Sequence, residues 1–334
     1  MEPITHALTS LALSRAGLSR ATRMAAPMLL VSGLAADTDW ISYFAGAPAF
    51  LQWHRTATHS VLGVAVISIV SAAVFWLCSR GSQSLRIDFL PAVAVCACGS
   101  GMHLLLDLTN DSGVKLLWPF RLDWHAWDLA RDVDPVLLAI LLAGILVPSL
   151  LNLIGEEIGA GRRRRPGAGG AALALGLMLL YLGGRAAAHQ RATILLNGHT
   201  YRQEAPIRTG AFPSVSPVTW HGVVETQTAL HRAEVSLWPG MEWNAEATQI
   251  QPKPDDSPVL QRALASEAAR QFLAYARFPS ASVQPIEDGF EVWIQDLRDS
   301  PTDPGAIRIV AVIMLNSRGE VTRSELRFAS ETSR

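Results

Sequence analysis

The sequence predicts an α-helical integral membrane domain, four long spans preceded by a pair of short helices, followed by a small soluble α+β domain. Three observations carry this. The 334-residue chain is 49% hydrophobic but only 17% charged, against roughly 25% charged in an average soluble protein. The shortfall is uneven: residues 1–185 hold 26 charged side chains, and the shorter remainder, 186–334, holds 31. The first part also contains four uncharged runs near the ~20 residues a helix needs to cross ~30 Å of hydrocarbon. A net charge of −1 excludes a strongly basic nucleic-acid binder, so no direct nucleic-acid binding is expected.

Two short apolar segments come first, Pro3 to Ser14 and Met24 to Ala36, around an arginine-rich turn, RAGLSRATR. They form either a hairpin of short spans or a re-entrant pair. Glu2 stands where a secretory signal has a basic leader, and Arg15 interrupts the apolar stretch, so a standard signal peptide is not expected. The long runs are Ser60 to Cys78, Phe89 to Leu106, Pro135 to Gly155 and Pro166 to Gly184. Lipid offers backbone groups no partner, so each should be helical. Arginine placement orients them. Arg162 to Arg165 lie between the third and fourth runs, Arg80 and Arg86 between the first and second, and Arg15, Arg20 and Arg23 in the short turn. The first two clusters mark the cytoplasmic side, and the short turn does so if both short segments cross, which puts loops 37–59 and 107–134, and everything after Arg185, outside.

Residues 186–334 read as a mixed soluble domain. Val218 to Leu237 and Ile307 to Phe328 alternate apolar and polar residues like half-buried strands. Asn316-Ser317-Arg318-Gly319 suggests a hairpin turn. Pro258 to Ala276 carries an apolar face at helical spacing, and Phe290 to Ile294 is a further strand. His221, His231, Trp220, Trp238 and Trp243 are candidates for a substrate groove, although core or surface is the commoner place for such residues. All three cysteines, Cys78, Cys96 and Cys98, fall in membrane runs. The outer domain therefore has no disulfide framework, and Cys96 and Cys98 would face different sides of one helix, against a metal pair there.

The informative polar groups sit at the ends of membrane runs: His6, Asp37, Asp39, His54, His59, His103 and Asp107. Ionisable groups at such positions are costly, and a topology built from arginines alone sends all seven to one membrane face. His103 and Asp107 are four apart and share a helix face. Asp37 and Asp39 sit where a helix gives way to a loop. His54 and His59 bracket a helix start. Mixed imidazole and carboxylate ligands suit zinc first, with manganese or iron as alternatives. More than four ligands points to one or two ions. The alternative is a His–Asp hydrogen-bond network that seals helix ends without metal. In the following loop, Asp134 is the favoured supporting group.

ITHALTSLAL, GLAADTDWI, HRTATHS, HLLLDLTNDSGVKLLWPF and DVDP, in this order, resemble the YdjM-like family of bacterial inner-membrane proteins described as metal-dependent hydrolases. The resemblance covers about residues 1–155 well and continues more weakly through PSVSPVTWHGVVET and FLAYARFPSASV. It implies a protein of the bacterial inner membrane; the multi-pass topology with an extracytoplasmic C-terminal domain is the one the arginines give. More distantly, the family is similar to the zinc-dependent phospholipase C and P1 nuclease group. That likeness carries metal-site positions onto His6, Asp37, His54, His59, His103 and Asp107, with Asp39 a ligand or an orienting carboxylate. The family's common Pro-Asp is Ala36-Asp37 here.

The leading expectation is a membrane-bound metal-dependent hydrolase at the outer interface. Its partners are membrane lipids, and its substrate a lipid or other phosphoester. Asp39 or Asp107 would take the water proton, and Arg55 would either bind the anionic substrate or serve as an interfacial anchor. The first alternative is a non-catalytic, metal-stabilised anchor whose outer domain binds a protein partner. A metal transporter ranks last, because the long runs are nearly free of polar groups away from the outer face.

Overall fold

The computed structural model describes residues 1–81, 86–157, 167–239, 243–298 and 307–329. The arginine cluster 162–165 lies outside them. Contacts divide the chain into two units, Met1–Asp39 with Arg55–Ala187, and Trp40–His54 with Ala188–Arg334.

The first unit is helical. Helix α1 (Pro3–Ala16) starts with a proline at its first position, α2 (Ala25–Leu34) follows, and Ala35–Ala45 continues as tight 3₁₀ turns. At 1.5 Å per residue, α1 and α2 measure about 21 and 15 Å, short of the ~30 Å core. This favours the re-entrant arrangement over a pair of full spans. After the short α3 (Ala47–Trp53) come α4 (Val61–Ser79), α5 (Phe89–Leu108), α6 (Pro135–Glu157) and α7 (Ala168–Asn197). Among the described residues these last four are the helices long and apolar enough to cross a membrane. Helix α7 runs beyond the apolar run that Gly184 closes in the sequence.

Helix starts and crossings are set by a few small or polar residues. Ser60 caps α4 by accepting from the Gly63 amide at 2.9 Å. A Cβ on Gly63 would lie 2.2 Å from the Ala57 carbonyl oxygen, so the turn before α4 requires glycine. Helices α2 and α5 cross at Gly33 and Gly99, where a Cβ on Gly99 would lie 2.8 Å from the Leu29 carbonyl oxygen. Small residues permit this backbone approach. Ser68 and Ser100 hydrogen-bond across α4 and α5 at 2.9 Å. Arg15, which interrupts the first apolar stretch, donates to the Ile145 carbonyl and the Ser149 hydroxyl of α6 at 2.9 Å each. Asp134, expected to support a metal site, instead caps α6 by accepting from the Val136 and Leu137 amides, and it takes a 3.0 Å bond from the Tyr181 hydroxyl. Cys96 is buried and Cys98 exposed, as a helix requires of residues two apart.

The second unit holds two antiparallel four-stranded sheets. The first has the order β1 (Arg208–Pro213), β2 (Thr219–Glu225), β3 (Ala229–Ser236), β4 (Gln249–Pro252). The second runs β5 (Pro279–Ile286), β6 (Gly289–Asp296), β7 (Ile309–Asn316), β8 (Val321–Phe328). The apolar stretch Pro258 to Ala276 forms two helices, α8 (Pro258–Leu264) and α9 (Glu267–Leu273), because Ser266 caps a new start by accepting from Ala269. Both pack on the second sheet through Leu260, Ala263, Phe272, Val292 and Ile313. The 316–319 turn joins β7 and β8, with Gly319 at φ +74°, a conformation glycine adopts without strain.

The expected aromatic groove is not assembled. Trp220 is fully buried with Ala192, Leu196 and Val224, whereas Trp238 is 62% exposed. His221, next along β2, turns to the opposite face. His231 is buried against the Tyr201 ring, with its nitrogens 3.4 Å from the Thr226 hydroxyl and 3.2 Å from that of Thr248.

Candidate metal centre

Five residues from four places in the first unit converge: His6 from the start of α1, Asp37 from the 3₁₀ turns after α2, His59 before the Ser60 cap, and His103 and Asp107 from the last turns of α5. Four of them, His6, Asp37, His103 and Asp107, offer ligand atoms all within 4.8 Å of one another. His6 Nε2 lies 3.3 Å from Asp107 Oδ1. His103 Nε2 lies 3.3 Å from Asp107 Oδ2 and 3.7 Å from Asp37 Oδ1. His59 Nε2 lies 2.9 Å from Asp107 Oδ2, 3.1 Å from His103 Nε2 and 3.9 Å from Asp37 Oδ1. Ligand atoms on a tetrahedral ion with ~2.0–2.1 Å bonds stand about 3.4 Å apart, so the spacing fits one.

The protonation logic fits as well. His103 Nδ1 is 2.7 Å from the Gly33 carbonyl, a pure acceptor, so Nδ1 carries the hydrogen and Nε2 presents a lone pair. The Gly33–Gly99 crossing one turn earlier brings that carbonyl into reach. His59 Nδ1 faces Asp39 Oδ2 at 3.1 Å, which turns its Nε2 inward too. Both ring nitrogens of His6, Asp37 Oδ2 and Asp107 Oδ2 are buried without a hydrogen bond of acceptable geometry, the short His59–Asp107 contact notwithstanding. Acceptors pointed at one another call for a cation. Burial disfavours a charged His59, but the carboxylates of Asp107 and Asp39 outweigh it and raise its pKa to about 9. At neutral pH His59 Nε2 therefore carries a proton toward Asp107, which an arriving metal ion would displace. The Met1 α-amino group also contacts Asp107 and lies 3.8 Å from Asp132 Oδ1.

Asp37 and Asp39 take different parts. At three residues per 3₁₀ turn, residues two apart point about 120° apart. Asp37 reaches the ligand group; Asp39 stands behind His59 and accepts from the Thr58 hydroxyl at 2.7 Å and the Arg55 amide at 2.9 Å. This is the carboxylate–histidine arrangement that orients metal-binding imidazoles. Asp37 is the partly exposed member, with 13% of its side chain accessible, and burial raises its pKa.

His54 is grouped with the second unit. Its ring stacks on Phe50 at 4.3 Å and lies edge-on to Trp40 at 5.8 Å, and it is not one of the four grouped residues. Arg55 is buried at φ +58°. Its guanidinium donates to Asp132 at 2.7 Å, and its carbonyl accepts from the Lys115 amide at 3.0 Å. These bonds tie the segment before α4 to loop 110–132. Asp132, which also accepts from Asn110, reads in the sequence as one of several solvated loop acids. Its signal there is the DVDP motif, which holds a second aspartate beside the one that caps α6.

Residues 1–192 match the YdjM inner membrane protein family, and that stretch contains the whole cluster. The chain belongs to this family. A 118-residue stretch is 25% identical to the protein called Uncharacterized protein YfhP of Bacillus subtilis (strain 168), covering 35% of this chain and 35% of that relative. The match thus spans about a third of either protein. No solved structure matches the chain. As a YdjM family member it is an inner membrane protein with a His/Asp group able to hold a metal ion.

Proposed function

We propose that this YdjM family protein is a metal-dependent hydrolase acting on a phosphoester, lipid-linked or otherwise, at the outer membrane interface. The observation that carries the reading is the convergence of lone-pair nitrogens and carboxylate oxygens from His6, Asp37, His59, His103 and Asp107 at the end of a membrane span. These five residues would hold one or two divalent ions, with zinc the first expectation. A divalent ion supplies Lewis acidity and brings the pKa of a coordinated water toward ~7. Asp39 and the Gly33 carbonyl hold the His59 and His103 rings in place. Asp37, the accessible carboxylate, is the group at which a water proton would leave, rather than the buried Asp107 or the engaged Asp39. Arg55 braces the site through Asp132, and a direct role toward an anionic substrate would require that ion pair to open.

The burial of four of the five residues favours a second reading, a structural metal in a non-catalytic anchor whose outer domain binds a protein partner. Closed sites are typical of structural zinc, and open ones of catalysis.

The test begins with elemental analysis of detergent-purified full-length chain, wild type beside His103→Ala and Asp107→Asn. About one or two ions per chain in the wild type, lost in both variants, supports the centre. Hydrolysis of phosphoesters, lipids first, that Asp37→Asn abolishes while metal content stays above half would support the hydrolase. Stoichiometric metal with no turnover would leave the anchor.

A further inference from the structure

The segment Trp40–His54, WISYFAGAPAFLQWH, contains no Asp, Glu, Lys or Arg, yet it interrupts the membrane unit and packs in the other. Its inner face is accounted for. Tyr43 stacks on Phe328 of β8 at 4.6 Å, and Ala47 and Phe50 join the core of the second sheet with Leu260 and Phe272. The outer face is equally apolar but open: Trp40 is 43% exposed, Ile41 75% and Phe44 87%. Trp53, near the other end, is 55% exposed. Ile41 and Phe44, three apart in the 3₁₀ turns, share one side, and Trp40 borders them with its ring 5.6 Å from Tyr43 and 5.9 Å from Phe50. A segment apolar all round needs apolar surroundings on both faces, and contiguous exposed apolar residues mark an interaction surface.

The position of its ends limits what those surroundings can be. The segment is joined by peptide bonds to Asp39 and Arg55, which are hydrogen-bonded to each other at 2.9 Å behind His59. His59 in turn contacts Asp107, on the last turn of the membrane helix α5. The chain therefore leaves and re-enters at the edge of the hydrocarbon. Tryptophan near both ends is the composition of a membrane–water interface. Loop 110–132 emerges from the same end of α5. Its Leu116 carbonyl accepts from Val61 at the start of α4 at 3.0 Å, and it too exposes Phe120 and Leu122.

We propose that the face formed by Trp40, Ile41 and Phe44 inserts into the lipid interface on the side of the membrane that carries the His/Asp cluster. The occupant is lipid, because the face is uncharged and its ends are fixed at the bilayer edge.

The test uses the full chain with Cys78, Cys96 and Cys98 replaced, carrying a nitroxide on Ile41→Cys or Phe44→Cys, with Ser317→Cys in the β7–β8 turn as the aqueous reference. The protein is reconstituted in vesicles of phosphatidylcholine and phosphatidylglycerol. Labels at 41 and 44 should collide with oxygen several-fold more than with a water-soluble nickel chelate, and the label at 317 should do the reverse. Labels at 41 and 44 as water-accessible as that at 317 would overturn the proposal. So would spin–spin broadening at 44 that places a second copy on the patch. A measurement that keeps the native cysteines compares quenching by brominated lipid in wild type and Trp40→Phe. The wild type should lose the larger share of its emission, and equal quenching would overturn the proposal.

Discussion

Two buried carboxylates, one in each unit, are satisfied in opposite ways. Asp296, at the end of β6, accepts from the backbone amides of Arg277, Phe278 and Arg298 and lies 3.3 Å from the Arg298 guanidinium. Asp107, at the end of α5, faces three imidazoles and the Met1 amine, and one of its oxygens has no hydrogen bond of acceptable geometry. The first is a fold device, since its partners are amides that a chain turn always supplies. In the second, the Met1 ammonium meets one oxygen, while the other faces imidazoles that can turn lone pairs inward, so that side is completed by an external cation. Burial alone does not separate structure from chemistry; the identity of the partners does.

The sharpest way to break this contrast is to neutralise each carboxylate. Asp107→Asn should lose nearly all bound metal while the protein still inserts, read by elemental analysis and membrane fractionation. Asp296→Asn should keep its metal and lower the stability of the second unit by about 3–5 kcal/mol, read by denaturation of the full chain in detergent. Metal retained in the first variant would make Asp107 a structural carboxylate like Asp296.

A remote change should come next in size. Gly99→Val pushes α5 from α2, since even a Cβ there meets the Leu29 carbonyl, and it parts His103 Nδ1 from Gly33. Metal affinity should fall at least as far as for loss of an outer partner, about 10–100-fold, measured by competition with a fluorescent chelator. Asp39→Asn should cost about 10–100-fold as well but leave helix packing intact, since its partners are His59, Thr58 and Arg55 in the turn before α4. An unchanged affinity would remove Asp39 from the centre.

The smallest effect lies in the second unit. Burial, aided by the charge of Arg202, lowers the His231 pKa below its ordinary value. The folded state therefore favours the neutral ring. Stability from this group is complete above the unfolded value of ~6.5 and is lost as pH falls below it. His231→Gln should flatten that acid limb, with no change in metal content, measured by denaturation at pH 5 and pH 7.5.

Much of this was legible in the residues. Uncharged length marked α4 to α7, and period-two patterning with Asn316 to Gly319 marked the β7–β8 hairpin. His103 and Asp107 share a face because the α-helix dictates it at spacing four. Other features were not legible. Trp40–His54 reads as a loop of the membrane domain, and only long-range packing on Phe328 and Phe272 assigns it to the other unit. The different parts of Asp37 and Asp39 depend on a 3₁₀ turn that no local pattern announced. Trp220 and His231 resemble groove residues until Ala192 and Leu196 cover one and Tyr201 the other.

By itself, the sequence determined that the chain is a membrane protein with a soluble α+β domain, and which residue types are available to hold a metal ion. Those properties follow from composition and periodicity, which act through solvent and local backbone geometry. Only the tertiary structure decided which of those residues meet, because His6, Asp37, His59 and His103 are brought together by helix crossings at Gly33 and Gly99 and by a capped turn at Ser60. Such contacts depend on close packing between segments far apart in the chain, where a single Cβ decides whether a carbonyl reaches a ring nitrogen.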